Sequence, residues 1–309
     1  MYSFKSMNTT ISTFYISEEK HSLVQSWFLY AENIFSRFLP NSELSQFNRS
    51  KGHLFLPTSI LYDVLKTSDD FYKETEGLFN PYLCEIICDL GYDRSFEMLG
   101  LQEVMKGDKE FVIPMNPIIF DESMKGLKLI DASIDLGGIA KGWTAQQIAN
   151  QLQASGELLG AISAGGDIFL WGERQNGWDI TIAHPRYTNK DLFSLKVIRE
   201  AGVATSSTLK RSWKTTKGDT KHHIIDPRSH NSSGSDLIQV TILANDLTTA
   251  EVYAKCLLIL GWDDGIKWLN RKKPTLAAIG IKRDLSIHVG GAMETYCLEG
   301  VKKVESTIC

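Results

Sequence analysis

Apolar positions along this chain follow two periods. Over residues 22–38, Leu23, Trp27, Leu29 or Tyr30, Ile34 and Phe38 recur at helical spacing and predict a helix. The same period returns over residues 142–155, where Ala145, Ile148, Ala149 and Leu152 make one face and Gly156 supplies the stop. Residues 58–75, after Pro57, and the apolar run 248–260, closed by Gly261, predict two more helices. Residues 77–89 turn at Asn80-Pro81 before a short helix. Elsewhere the pattern is extended: 9–16, 128–134, 161–163, 168–171, 178–183, 192–197, 202–205, 237–244, 276–281 and 285–288 read as strands. Strands follow strands without a helix between them, which favours an α+β fold over a doubly wound parallel sheet.

Composition narrows the class. A chain of 309 residues with 43% hydrophobic and 23% charged positions builds a real core, as one large domain or two average ones. The net charge of −4 argues against sequence-independent nucleic-acid binding, so any anion must be held by local features. No stretch approaches the roughly 18 apolar residues of a membrane span, and the first residues lack a continuous apolar segment. The expectation is a soluble, cytoplasmic protein, with an exported form that has lost a leader as the alternative. Cys84, Cys88, Cys256, Cys297 and Cys309 are odd in number and irregular in spacing, which gives no disulfide framework. Cys84 and Cys88, four apart, share a helix face and read as packing; no second close Cys/His pair supports zinc.

Chemistry concentrates in a few segments. "DLGGIAKG", residues 135–142, joins a strand end to a helix start. Gly137 and Gly138 can adopt positive φ and let a ligand approach the backbone. The helix N-terminus and Lys141 would meet phosphate, and Asp135 a sugar, a base edge or a lysine. An ordinary strand-to-helix turn accounts for the same letters, and neither standard nucleotide fingerprint is present. "SAGGD", residues 163–167, reads first as a hairpin. In "HHIIDPR", residues 222–228, Ile224 and Ile225 anchor the segment, Asp226-Pro227 turns it, and His222 reads as exposed. His223 beside Asp226 is either a proton acceptor near neutral pH or a hydrogen-bonded structural histidine. Glu251 and Lys255 lie one helical turn apart. They form either an exposed pair, stabilising by about 0.3–0.5 kcal/mol, or a site where Glu251 offers oxygen to a divalent cation.

Taken in order, "MNTT" from Met7, "FSRFLPNSELSQFNR" from Phe35, "TEGLFNPYL" from Thr75, "DLGGIAKG", "SAGGDI" from Ser163, "GVATSS" from Gly202, "HHIIDPRSH" from His222 and "AEVYAKCLLILG" from Ala250 resemble the ApbE family, the FAD:protein FMN transferases. The resemblance spans most of the chain. It implies an α+β, T-fold-like domain of mixed sheets with packed helices over residues 1–309, with two lobes and an FAD cleft between them. It also implies Mg²⁺-assisted transfer of FMN from FAD to a Thr or Ser hydroxyl of an acceptor flavoprotein, with release of AMP. By the same resemblance Met7, Leu78, Phe79, Asn80, Asp135, Lys141 and Ile224 border FAD, and the Gly138 carbonyl and Glu251 hold Mg²⁺. His223 is then the base or its orienter. The chain departs from the family pattern at Lys255, where a threonine ligand is usual, and at Asn80, where an aspartate is usual. Asn8, Ser207 and His230 stand where glycines are common. An ammonium at 255 either competes with Mg²⁺ or neutralises the pyrophosphate itself. A silent or metal-independent FAD-binding homologue and an FAD pyrophosphatase are therefore the alternatives.

Overall fold

The computed structural model describes residues 1–101, 113–187, 189–298 and 302–303. Its centre is an eight-stranded sheet with strands in the order Tyr2–Ser6, Thr9–Phe14, Gly160–Ala164, Asp167–Trp171, Ala201–Ser207, Leu237–Ala244, Ala277–Lys282 and Ile287–Gly291. Every ladder in it is antiparallel, so the expected mixed sheet is corrected. The reason is local. Tight turns at Met7–Asn8 and at Gly165–Gly166 reverse the chain, where parallel pairing would need crossovers.

The alternation of strand residues divides the sheet between two cores. Ile162, Ala164, Ala204, Ile242 and Ala278 join the helices on one face. Their neighbours Ala161, Val203, Leu243, Ala277 and Ile279 join Trp178, Phe193 and Leu195 on the other. The latter come from strands Trp178–Ala183 and Asp191–Val197 of a smaller sheet. The strand Leu237–Ala244 is covered on both sides and buried throughout, which explains its unbroken β-rich sequence.

Seven helices matter to the site: α1 Glu18–Phe35, α2 Glu43–Arg49, α3 Ser59–Glu74, α4 Cys84–Asp89, α5 Ala140–Ala154, α6 Leu247–Leu260 and α7 Trp262–Lys272. α6 starts at Asp246, whose side chain accepts the Thr249 N–H at 2.8 Å, and ends at Gly261 with φ 81°. None of the described helices is long and apolar enough to cross a membrane.

Several sequence expectations shift. The helix expected over residues 22–38 begins at Glu18 and stops at Phe35, because Ser36 is extended (ψ 115°). The strand expected over 128–134 runs only Gly126–Leu129. Beyond it the Asn48 side chain satisfies the Ile134 backbone, accepting its N–H at 2.8 Å and donating to its carbonyl at 2.9 Å. Helices α2 and α7 and the strand Tyr2–Ser6 were not anticipated by periodicity. Cys84 and Cys88 are half-buried, Cys256 and Cys297 are buried, and all four are free thiols; Cys309 lies outside the described residues.

Candidate active site

A cavity of about 380 Å³ opens where the Met7–Asn8 turn, the end of α1, the 78–92 segment, the 135–141 loop and α6 meet. The loop from Asp135 to Ala140 is held open by paired charges rather than by unusual backbone. Arg37, just past the end of α1, donates from Nε to Asp135 Oδ2 at 2.7 Å and from Nη2 to the Tyr92 carbonyl at 2.7 Å. Its guanidinium also lies 4.1 Å from the Phe38 ring centroid and 4.9 Å from that of Tyr92. Asp135 Oδ1 accepts the Gly137 N–H at 2.5 Å. Burial opposes ionisation of Asp135, but Arg37, that N–H and Lys255 outweigh it and hold the carboxyl below its ordinary range.

Gly137 and Gly138 do not use the positive φ open to them. Their value is closeness. A Cβ on Gly138 would lie 2.1 Å from Lys255 Nζ, and one on Gly142 would lie 2.9 Å from Glu251 Oε2. The sites where φ is positive are Met7 (51°), Asn8 (55°) and His230 (53°), whereas Ser207 is not among them. Asparagine tolerates that region better than most residues, which suits Asn8.

Behind the loop, Lys141 donates to Glu251 Oε1 and lies 3.4 Å from Asp167 Oδ2. Glu251 is 5% exposed, and its Oε2 accepts the Gly142 N–H at 2.7 Å. The exposed Glu251–Lys255 pair is thus overturned: Glu251 points from α6 to the start of α5. Burial lowers the affinity of Lys141 for its proton, but Glu251 and Asp167 more than compensate and leave the ammonium strongly charged. Asp167 is pushed up to about 6, by burial first and by Glu251 as well, with Lys141 opposing.

Lys255 and Arg211 reach the cavity wall from α6 and from the segment before residues 212–214. Neither has an ion-pair partner in contact among the described residues. The cavity wall is therefore locally cationic within a chain of net charge −4. His223 completes it. Its Nδ1 lies 3.3 Å from the Arg211 carbonyl oxygen, which can only accept, so Nδ1 carries the hydrogen and Nε2 keeps its lone pair. Burial, with Arg211 and Lys255 adding to it, drives the imidazole well below the usual histidine range, so it is neutral at pH 7. Asp226 does not orient it, because that carboxylate is spent on Arg228, at 2.9 Å from Nε and 2.7 Å from Nη2. His222, expected to be exposed, is half-buried with Nε2 3.0 Å from the Ser233 carbonyl.

The model of the ApbE family matches residues 7–280. The chain belongs to the ApbE family. A curated FAD:protein FMN transferase of Treponema pallidum is 25% identical to this ApbE chain over 293 residues, 89% of this chain and 79% of that protein. One from Vibrio cholerae is 25% identical over 242 residues, 75% and 70% of the two chains. In fold, the ApbE protein of Thermotoga maritima superposes with a TM-score of 0.82 at 21% identity, covering 96% of this chain and 99% of that one. The flavin transferase ApbE of Vibrio cholerae superposes at 0.75 and 20% identity, covering 96% and 98%. At these identities the superpositions establish the fold.

Within this ApbE cavity, Met7, Leu78, Asn80, Asp135, Lys141 and His223 of the expected site residues line the wall. Phe79 and Ile224 do not: both are side chains of the main core, Phe79 edge-on to Phe71, and Ile225 takes the wall position. Lys141 lines the wall with its ammonium already committed to carboxylates. Arg211 and Tyr92 were missed, since nothing in their local sequence marks them, and Arg37 was passed over within the segment from Phe35 that carries the resemblance.

The donor set does not fit Mg²⁺. That ion demands near-octahedral oxygen ligation. Both Glu251 oxygens are engaged by Lys141 and the Gly142 N–H. The Lys255 ammonium fills the space at Gly138. Among the described residues no group of three His, Cys, Asp or Glu side chains is placed to hold a metal ion. Two unit positive charges about 4 Å apart repel by about 4 kcal/mol at an effective dielectric near 20, which Mg²⁺ beside Lys255 would have to overcome at least once.

Proposed function

We propose that this ApbE chain is an FAD:protein FMN transferase, moving FMN from FAD to a Ser or Thr hydroxyl of an acceptor flavoprotein and releasing AMP. The observation that carries it is the cavity itself, which joins uncommitted cations to a neutral, oriented imidazole. A pyrophosphate needs charge neutralisation and an aligned nucleophile with a base. Arg211 supplies positive charge from the wall, and Asp135, fixed by Arg37, shapes the loop against the dinucleotide. His223 Nε2 accepts the proton of the attacking hydroxyl. The hydroxyl oxygen bonds to the FMN-side phosphorus, the bond from that phosphorus to the bridging oxygen breaks, and AMP leaves with the electron pair. The same reading takes residues 1–309 as one domain, and a core that draws on described residues from Ile11 to Ala278 supports it.

Incubation with FAD and a hydroxyl-bearing acceptor flavoprotein tests this. AMP and covalently bound flavin, read by chromatography and by fluorescence of the denatured acceptor, should appear in equal amounts. No AMP with any acceptor or with water overturns the enzymatic reading.

A further inference from the structure

Resting on that transferase reading, we propose that the Lys255 ammonium takes the place of a divalent cation, so that this chain binds and cleaves FAD without metal.

Three observations converge. The end of Lys255 lies in the hollow left by the absent side chain of Gly138, with Nζ 2.1 Å and Cε 2.6 Å from where a Cβ would sit. Any larger residue at 138 would displace this cation. Next, Lys255 shares the cavity wall with His223 and is unpaired among the described residues, so its charge is available to a ligand. Third, the carboxylate closest in role to a metal ligand, Glu251, is turned away to Lys141 and the Gly142 N–H.

A cation held beside the loop, facing the base, does what a metal would do electrostatically. It offsets one of the two negative charges of the pyrophosphate on binding. As the phosphorus–oxygen bond breaks it also meets the charge that grows on the oxygen departing with AMP. The proton still goes to His223, and no oxidant, reductant or further reactant enters the step. Unlike a metal, a side-chain ammonium is present at every ion concentration and is not removed by a chelator. It is also a point charge on a flexible stem, able to follow the bridging oxygen as the bond lengthens.

The test uses the full chain. FAD affinity, by flavin fluorescence, and AMP release with an acceptor are measured in excess EDTA and in excess Mg²⁺, and bound Mn²⁺ is counted by electron spin resonance on the FAD complex. Equal affinity and rate in both buffers, with no stoichiometric Mn²⁺, is the expected result. Lys255→Met, which keeps the apolar stem, should weaken FAD binding about ten- to a hundredfold at an unchanged melting temperature. Lys255→Arg should restore part of it. Binding or AMP release that EDTA abolishes and Mg²⁺ restores, or one tightly held Mn²⁺ per chain, overturns the proposal while leaving the transferase reading intact. So does an unaltered affinity in a folded Lys255→Met. Absence of FAD binding in either buffer removes the transferase reading itself, and this proposal with it.

Discussion

Gly138 and Lys255 are fitted to each other: a Cβ on the glycine would stand 2.1 Å from the lysine's nitrogen and 3.3 Å from its Cδ. The clashing atoms are the free end of a flexible side chain, so relief is cheap for the fold. Gly138→Ala should therefore leave the melting temperature nearly unchanged, because Lys255 can swing toward the cavity. FAD affinity should fall instead, since the charge is no longer where the loop holds it. Thermal melts and flavin titration on the same sample separate the two effects. A large drop in melting temperature would mean that Lys255 is locked in place by the core.

His223 sets a pH dependence of known sign. Its folded-state value lies well below the ordinary 6.5, because burial, Arg211 and Lys255 all disfavour the imidazolium. The neutral ring is the base, so AMP release should stay flat through neutrality and fall only as the pH drops through that depressed value. His223→Ala should lower the rate by about 10²–10⁴-fold and remove this limb of the profile. Stability follows the same direction. As pH falls below 6.5 the unfolded chain takes up a proton that the folded chain refuses, so the His223 contribution is whole above that value and is lost toward the folded one. Chemical denaturation at a series of pH values should show a smaller acid slope for His223→Ala.

Lys141 is expected to act on stability more than on ligand binding. Its ammonium bridges Glu251 and Asp167, which are both nearly inaccessible. Lys141→Met would leave two buried carboxylates facing each other, and breaking one partner from such a pair costs about 3–5 kcal/mol. Asp167, already pushed up to about 6, should then take a proton, recovering part of that cost below neutrality. Urea midpoints at pH 5.5 and pH 8 read this out, with the larger loss expected at the higher pH. Equal losses would show that Asp167 does not titrate in this site.

How far the sequence foretold this arrangement depends on whether a contact is local. Helix α6 was legible because an apolar run is closed by its own stop, Gly261. Helix α7 was not, because Gly261 ends one helix and begins the next, and a glycine, Gly265, stands inside it. Its real reason is packing, since a Cβ there would lie 2.5 Å from Leu257 Cδ1. The glycine loop was recognised as a place of close approach, but not by which groups: Gly137, Gly138 and Gly142 admit Asp135, Lys255 and Glu251, and those partners leave no mark in a single stretch of letters. The partnership of Lys141 with Glu251, 110 positions apart, is invisible to spacing, whereas the i,i+4 neighbour Lys255 invited a pairing that the fold does not make.

Arg37 gives the most demanding test of the site's architecture, because it does three things that no other cation can do together. It pairs with Asp135, donates to the Tyr92 carbonyl and lies against both the Phe38 and Tyr92 rings. Its side chain is only 7% exposed, so water cannot replace these contacts. Arg37→Ala should destabilise the protein by about 3–5 kcal/mol through the orphaned Asp135. Arg37→Lys keeps a positive charge but has neither a planar fork nor a stacking face. It should recover the Asp135 contact alone, restoring part of the stability while FAD affinity stays low, because the loop that Asp135 anchors would no longer be tied to Tyr92. Urea midpoints and flavin titration of both variants measure this split. Full recovery of both properties by lysine would reduce Arg37 to a simple counter-charge.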